Sequence, residues 1–305
     1  MRIVAFVQDD ISRLGAVEDS AIAVLPLTVG DALDLIQGGA DASHEVQRLI
    51  SQGDLARVPL QSVRLLPPLP RLRRDILCTG WNYWDHFEES LGRREGQDVP
   101  RPEAPTFFTK GPDVLIGPHD DIAFDCRISA KWDYEAEIAL VIGRDGRSIP
   151  EANALDYVWG YCLANDVSQR DLQRRHGGQW LKGKSIDGTM PLGPWLVTKD
   201  EVDLNKIRLQ CLVNGEVRQD AFATQMAFAV PRLIAELSFG MTLRAGDLLL
   251  TGTPAGIGNA RTPPTYLQNG DEVIVTATGL GELRNRVVAT DLYGKSSVPS
   301  MELRP

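Results

Sequence analysis

Three acidic side chains in the middle of this chain are spaced to hold a cation. Glu135 and Glu137 stand two apart in DYEAEIALVIG, and Asp166 follows in YCLANDVSQRD, 29 residues beyond Glu137. Residues i and i+2 of an extended strand share a face, with Cα atoms roughly 6.5 Å apart. Two carboxylates on one face of an apolar strand repel each other and lose hydration unless a cation lies between them. An isolated Glu-x-Glu is most often a solvated face. Here Tyr134, Ile138 and Leu140 fill the alternate positions, and Ala139 and Val141 continue the acidic face, so the strand reads as buried on both sides. Asp166, beside the apolar run YVWGYCLA, would complete an all-oxygen, half-open site that Mg²⁺ or Mn²⁺ accepts, with water in the remaining positions.

A second pair is His86 and Glu89 in NYWDHFEE, one of only four histidines. On a short helix i and i+3 lie side by side, so Glu89 would orient the imidazole and raise its basicity. Glu88 is adjacent and its role stays open. Residues 178–185, GQWLKGKS, match the phosphate-loop pattern G-x-x-x-x-G-K-S. That loop needs an apolar strand before it and a helix after it. Charged RDLQRRHG precedes it, and Gly188, Pro191, Gly193 and Pro194 follow, which forbids a sustained helix. GTPAGIG likewise lacks the strand–helix setting of a dinucleotide fingerprint.

The elements around these residues belong to an ordinary globular chain. Its 305 residues, 43% hydrophobic and 24% charged, suffice for one large domain or one large and one small. A net charge of -9 argues against nucleic acid and anionic membrane as partners. Cys78, Cys126, Cys162 and Cys211 are widely spaced and read as reduced thiols of a cytoplasmic protein. MRIVAFVQDD is too short and too acidic to read as a signal peptide, and no run approaches transmembrane length.

Residues 1–68 read as a small α/β module: strands in MRIVAFVQ and AIAVLP around a turn-rich DDISRLGAVEDS, then helical spacing in VGDALDLIQGG and HEVQRLISQG. Pro-rich LLPPLPRLRR reads as an extended connector to a larger region over 75–305. There, short strands are expected at DILCTG, TFFTK, DVLIG, EAEIALVIG, YVWGYCLAND, GPWLVT, IRLQCLVNG, DLLLTG, DEVIVTAT and LRNRVVA. Helical pattern is clearest in AVPRLIAELSFG and weaker in VSQRDLQRR. The class is α+β, predominantly β, and lacks the regular βαβ alternation of a doubly wound fold. Residues 90–104, polar with Pro and Gly, read as a mobile loop beside a site.

Taken together the segments resemble the fumarylacetoacetate hydrolase family. The resemblance rests on NYWDHFEE (82–89), DYEAEIA (133–139), NDVSQRD (165–171), GKS (183–185) and GDLLLTGTPAGIG (246–258), in the family's order over roughly 75–290. It implies a mixed β-sandwich roll with a small N-terminal domain, a bound Mg²⁺ or Mn²⁺, a homodimer, and chemistry on small 2-oxo acids. It makes Glu135, Glu137 and Asp166 the metal ligands and the His86/Glu89 dyad the activator of water. Lys184 faces the substrate as proton carrier or carboxylate clamp. Thr253, Lys110, Arg170 and Gln173 line the pocket, Arg170 equally suiting a structural ion pair. Gln169 stands where the family often has a small residue. Met190 stands where it often has an aromatic, and is expected to shape the wall that selects the substrate side chain.

The leading expectation is a divalent-metal-dependent hydrolase that cleaves a C–C bond in 2,4-dioxo acids such as acylpyruvates. The alternative keeps the metal and changes the reaction, to decarboxylation of an oxaloacetate-like acid or isomerisation of a related dienoate. A third reading is a non-catalytic metal-binding protein that recognises a 2-oxo acid.

Overall fold

A computed structural model describes residues 1–92 and 99–294. Residues 93–98, the centre of the expected loop over 90–104, lie outside the described residues. Ten strands form the main path of a 12-stranded sheet, in the spatial order Arg57–Pro59, Ala21–Val24, Ile11–Glu18, Arg2–Gln8, Met190–Thr198, Val158–Asn165, Ala136–Ile142, Leu248–Leu250, Ile76–Gly80 and Thr106–Lys110. A second, five-stranded sheet holds Glu216–Phe222, Arg208–Val213, Glu272–Ala277, Gly281–Ala289 and Ile122–Phe124. Strands dominate over helices, as the α+β, predominantly β reading expects.

The alternation read in the Glu-x-Glu strand is the organising pattern of this interior. Ala136, Ile138, Leu140 and Ile142 point into one core, where they meet Leu209, Cys211, Val273, Val275 and Leu283 of the smaller sheet. Ala139 and Val141 point into the opposite core with Cys162, Leu192, Leu196, Leu248 and Leu250. That second core is closed by Leu33, Leu35, Ile36 and Val46 from the helices Ala32–Gln37 and Gly39–Gln52. A strand with a full core on each face keeps every side chain from water, including its acidic ones.

The first strand joins the large sheet directly, with Arg2 opposite Val197 and Ile3 opposite Leu196. The N-terminal module therefore extends the sheet and covers one of its faces. DDISRLGAVEDS differs from its turn-rich reading: Ile11–Glu18 is a full strand between two tight hairpins. Asp9 and Asp10, at φ 51° and 59°, form the first two-residue turn, a conformation Asp tolerates better than most residues. The Pro-rich connector is not a free linker, because Leu65 pairs with Phe6 and Leu69 is fully buried. Met190 also departs from expectation. It lies wholly within the second core, on the far side of the sheet from the smaller sheet, and lines no part of the site described below.

Close strand approach depends on Gly160, opposite Thr198. A Cβ there would stand 2.3 Å from the Val197 backbone oxygen, which no side-chain rotation relieves. Gly160→Ala is expected to cost about 1–3 kcal/mol as an overpacking change, measured by urea denaturation. An unchanged midpoint would show that the two strands separate freely.

Candidate metal centre and its pocket

Strand register brings the three acids together. Ala136 pairs with Asn165 and Glu137 with Ala164, and the Asp166 N–H donates to the Glu135 backbone oxygen at 2.8 Å. Glu135 and Asp166 are thus cross-strand neighbours at the ends of adjacent strands, with Glu137 one same-face step inward. One ligand atom from each of Glu135, Glu137 and Asp166 lies within 4.8 Å of the others, and all three residues are buried.

Buried cations from three other segments meet this cluster. Lys184 Nζ lies 2.7 Å from Glu135 Oε2 and 2.6 Å from Asp166 Oδ2. Lys110 pairs with the other Asp166 oxygen. Arg170 Nη1 reaches Glu135 Oε1 at 2.6 Å and its Nε donates to Asp133 at 2.8 Å. Burial alone would raise the Glu135 carboxyl, but Lys184 and Arg170 outweigh it and hold the group well below the usual carboxylate range. Burial would likewise lower the Lys184 ammonium, and Asp166 and Glu135 reverse that, so Lys184 keeps its proton.

Glu137 is treated differently. Among the described residues no ion pair reaches it, and its Oε2 accepts the Gly252 N–H at 2.6 Å. Burial, then the charges of Asp166 and Glu135, push its carboxyl well above the ordinary range. With Glu137 ionised, Asp133, Glu135, Glu137 and Asp166 against Lys110, Arg170 and Lys184 leave one buried negative charge over. The donor set is all oxygen, in a cluster short of positive charge. These residues therefore fit a hard divalent ion such as Mg²⁺ or Mn²⁺.

The dyad faces the same pocket. His86 Nδ1 lies 2.8 Å from Glu89 Oε1, on the short helix Trp84–Glu89, and Glu89 Oε2 accepts the Gly256 N–H at 2.8 Å. The Glu89 carboxylate accepts a hydrogen bond from the tautomer that carries its proton on Nδ1, which leaves Nε2 as the imidazole's acceptor. Glu88 points to solvent. An inner recess of about 60 Å³ is lined by His86, Glu135, Arg170, Gln173, Lys184 and Thr253, all expected from sequence. Lys110 stands behind Asp166, fully buried, and meets the carboxylate rather than the recess. The Thr253 hydroxyl donates to the Ala136 backbone oxygen and accepts from Gln219, so it anchors its own loop. The GKS segment reaches the site because Gly183 packs on the backbone of Gln173, where a Cβ would lie 2.3 Å from its nitrogen.

Several contributors were not anticipated. Asp133 receives Gly258 and Asn259 N–H bonds besides Arg170 and so binds the C-terminal loop to the acidic strand. Asn82 ties the NYWDH turn to Thr251 and Phe228 through side-chain hydrogen bonds. Thr79, Trp81, Phe108, Arg174 and Trp180 complete the wall. Asp133 and Asn82 lie within the quoted sequence blocks, which was their only signal. The aromatic wall has none, since it is assembled by segments about a hundred residues apart. The phosphate-loop coincidence is set aside by geometry: a 3-10 turn, Leu181–Gly183, replaces the required helix start.

Residues 75–288 match the fumarylacetoacetate (FAA) hydrolase C-terminal family. The chain belongs to the fumarylacetoacetate hydrolase family. It is 42% identical over 229 residues to an oxaloacetate tautomerase of Bacillus subtilis, covering 75% of this chain and 74% of that protein. A fumarylacetoacetate hydrolase structure from Exiguobacterium antarcticum superposes with a TM-score of 0.82 at 38% identity, covering 95% of this chain and all of the other. A maleylpyruvate hydrolase from a Sphingobium species, crystallised with manganese(II) and pyruvate, superposes with a TM-score of 0.76 at 28% identity, covering 95% and 99%. Members of this family are enzymes of small-molecule chemistry, hydrolases and isomerases among them.

The excess charge at Glu137 gives a test of the metal centre. Metal-free Glu137→Gln protein is expected to melt at or above the wild type, because a neutral amide suits a site whose burial and neighbouring carboxylates disfavour the ionised carboxyl. Mn²⁺ at a hundredfold over its Kd should stabilise the wild type by about 2.7 kcal/mol and the variant much less. Equal Mn²⁺-induced shifts in Tm for both proteins would exclude Glu137 as a ligand.

Proposed function

We propose that this protein is a Mg²⁺- or Mn²⁺-dependent enzyme that interconverts the keto and enol forms of an oxaloacetate-like 2-oxo acid. The observation that carries the reading is the meeting of a buried acidic triad, through Glu135, and an oriented His–Glu dyad, through His86, at one small recess. Identity above 40% with an oxaloacetate tautomerase supports this reaction over the other members of the family. Glu135, Glu137 and Asp166 would hold the ion. Bound there, it would supply Lewis-acid polarisation of the 2-oxo group and balance developing enolate charge.

The chain's own groups then have proton work to do. Tautomerisation moves one proton from C3 to the oxygen on C2 and breaks no carbon–carbon bond. His86 Nε2 is the acceptor that can take the C3 proton, while Glu89 holds the ring by Nδ1 and stabilises the imidazolium that forms. Lys184, protonated and lining the recess, is the donor available to the oxygen. Arg170 and Gln173 orient the acid at the recess wall.

A second reading, hydrolysis of a C–C bond in a 2,4-dioxo acid, draws support from the same dyad, which is equally suited to activating water. Decarboxylation of oxaloacetate is the third outcome the metal chemistry allows. A homodimer, a cytoplasmic setting and an ancillary role for residues 1–68 complete the proposal.

Purified protein loaded with Mg²⁺ or Mn²⁺ is expected to accelerate enol-to-keto conversion of oxaloacetate, followed by ultraviolet absorbance. EDTA should abolish the acceleration and added metal restore it. His86→Gln should lower kcat by about 10²–10⁴-fold. Pyruvate release from acetylpyruvate, with oxaloacetate equilibrating only at the solvent rate, would decide for the hydrolase instead. Oxalate, a planar mimic of the enolate, should compete at millimolar concentration, and a noncompetitive pattern or no inhibition would count against chelation.

A further inference from the structure

Arg174 lines the inner recess together with Arg170 and Gln173. All three sit on the helix Arg170–Arg175. Residues i, i+3 and i+4 of a helix share a face, so these side chains reach the same space from successive positions. Four residues of helical rise separate Arg170 from Arg174 by about 6 Å along the axis. The long side chains of both residues can converge on the two ends of a four-carbon diacid, whose carboxylate carbons lie about 4 Å apart when extended. Arg174 also lines an outer recess of about 650 Å³ that shares Trp81, Phe108 and Trp180 with the inner one. Aromatic rings thus flank the passage between the two, with Trp180 in edge contact with Trp81 at 4.9 Å and Phe108 at 5.0 Å.

At the inner end, Arg170 Nη2 and the Thr79 hydroxyl are buried donors on residues lining the recess, and neither has a partner among the described residues. A buried unsatisfied donor costs stability unless a ligand completes it. The recess is therefore built to receive acceptor oxygens at its buried end, and Arg174 adds a half-buried guanidinium further along.

We infer that Arg174 is a specificity-determining residue that binds the distal carboxylate of a dicarboxylic 2-oxo acid. Monocarboxylic 2-oxo acids of similar size leave it unused. A guanidinium fits a carboxylate with two parallel hydrogen bonds, and the partly buried rings beside it limit the approach of water. This rests on the reading of the site as one for an oxaloacetate-like acid and assigns the residue that holds its far carboxylate.

The test is calorimetric titration of the Mg²⁺-loaded protein with malate and with lactate, 2-hydroxy acids that differ in the distal carboxylate, and with oxalate. Wild type is expected to bind malate about tenfold or more tightly than lactate. Arg174→Gln should erase that preference and leave oxalate affinity within twofold, which also shows that the variant is folded. Arg174→Lys should restore part of the preference. With oxaloacetate as substrate, Arg174→Gln should raise KM about tenfold and change kcat little. An unchanged malate preference in Arg174→Gln, or parallel loss of malate, lactate and oxalate binding, would overturn the inference. A wild type that prefers malate yet leaves oxaloacetate tautomers at the solvent rate would sink the proposed reaction and leave the role of Arg174 standing.

Discussion

Dry negative charge at the ends of two neighbouring strands is the constraint to which the rest of this molecule answers. Carboxylates buried between two apolar cores lose most of their hydration and must recover it from fixed partners. Asp133, Arg170, Glu135, Lys184, Asp166 and Lys110 form an alternating run of charge in which each member touches one of opposite sign. Removing one member of such a run strands its neighbour, a loss of about 3–5 kcal/mol when a buried pair is broken. Glu137 lies off the run with a single backbone donor, and the chemistry concentrates beside it.

The loops around the site follow from the same need. A carboxylate that lacks a cation can be held by backbone N–H groups, and that requires the chain to come very close. Gly252, at φ 95°, brings its N–H to Glu137 in a space where a Cβ would lie 2.7 Å from the Asn82 side chain. Gly256, at φ 113°, offers its N–H to Glu89 while its own α-carbon packs on the Arg218 backbone. The two glycines of one loop therefore serve the metal side and the dyad side of the pocket. Gln219 fixes that loop to the acidic strand, accepting from Ala136 N and donating to Thr253 and Pro254.

The parts of this arrangement that repeat along the chain were legible in it. Period-two alternation around Glu135 and Glu137 announced a buried strand, and both faces are indeed filled. The i, i+3 spacing of His86 and Glu89 likewise gave a helical pair that the structure closes at 2.8 Å. Properties created only by folding were hidden. Lys110 became a partner of Asp166 through a contact across 56 residues, and Arg174 joined the pocket wall through the turn of a six-residue helix. The strand Ile11–Glu18 was missed because Gly15 and the flanking Asp9, Asp10 and Asp19 outweigh its weak alternation, while its pairing with Arg2–Gln8 decides its shape. Met190 was misjudged because its side chain joins the second core, which fills the acid-bearing face of the sheet short of the recess.

Charge accounting links the metal to the class of substrate. With Glu137 ionised the inner network carries one negative charge over, so a divalent ion leaves it with one positive. A monoanionic 2-oxo acid would neutralise that centre, and its far end would need only an apolar wall. A dianion brings a second charge past the neutralised centre, toward rings that cannot solvate it, and calls for another cation at that depth. Arg174 is positioned between the inner and outer recesses where this second charge would arrive. The metal and the dyad by themselves would serve many 2-oxo acids. Selectivity among them would then rest on Arg174, one helical turn beyond Arg170 on the same short helix.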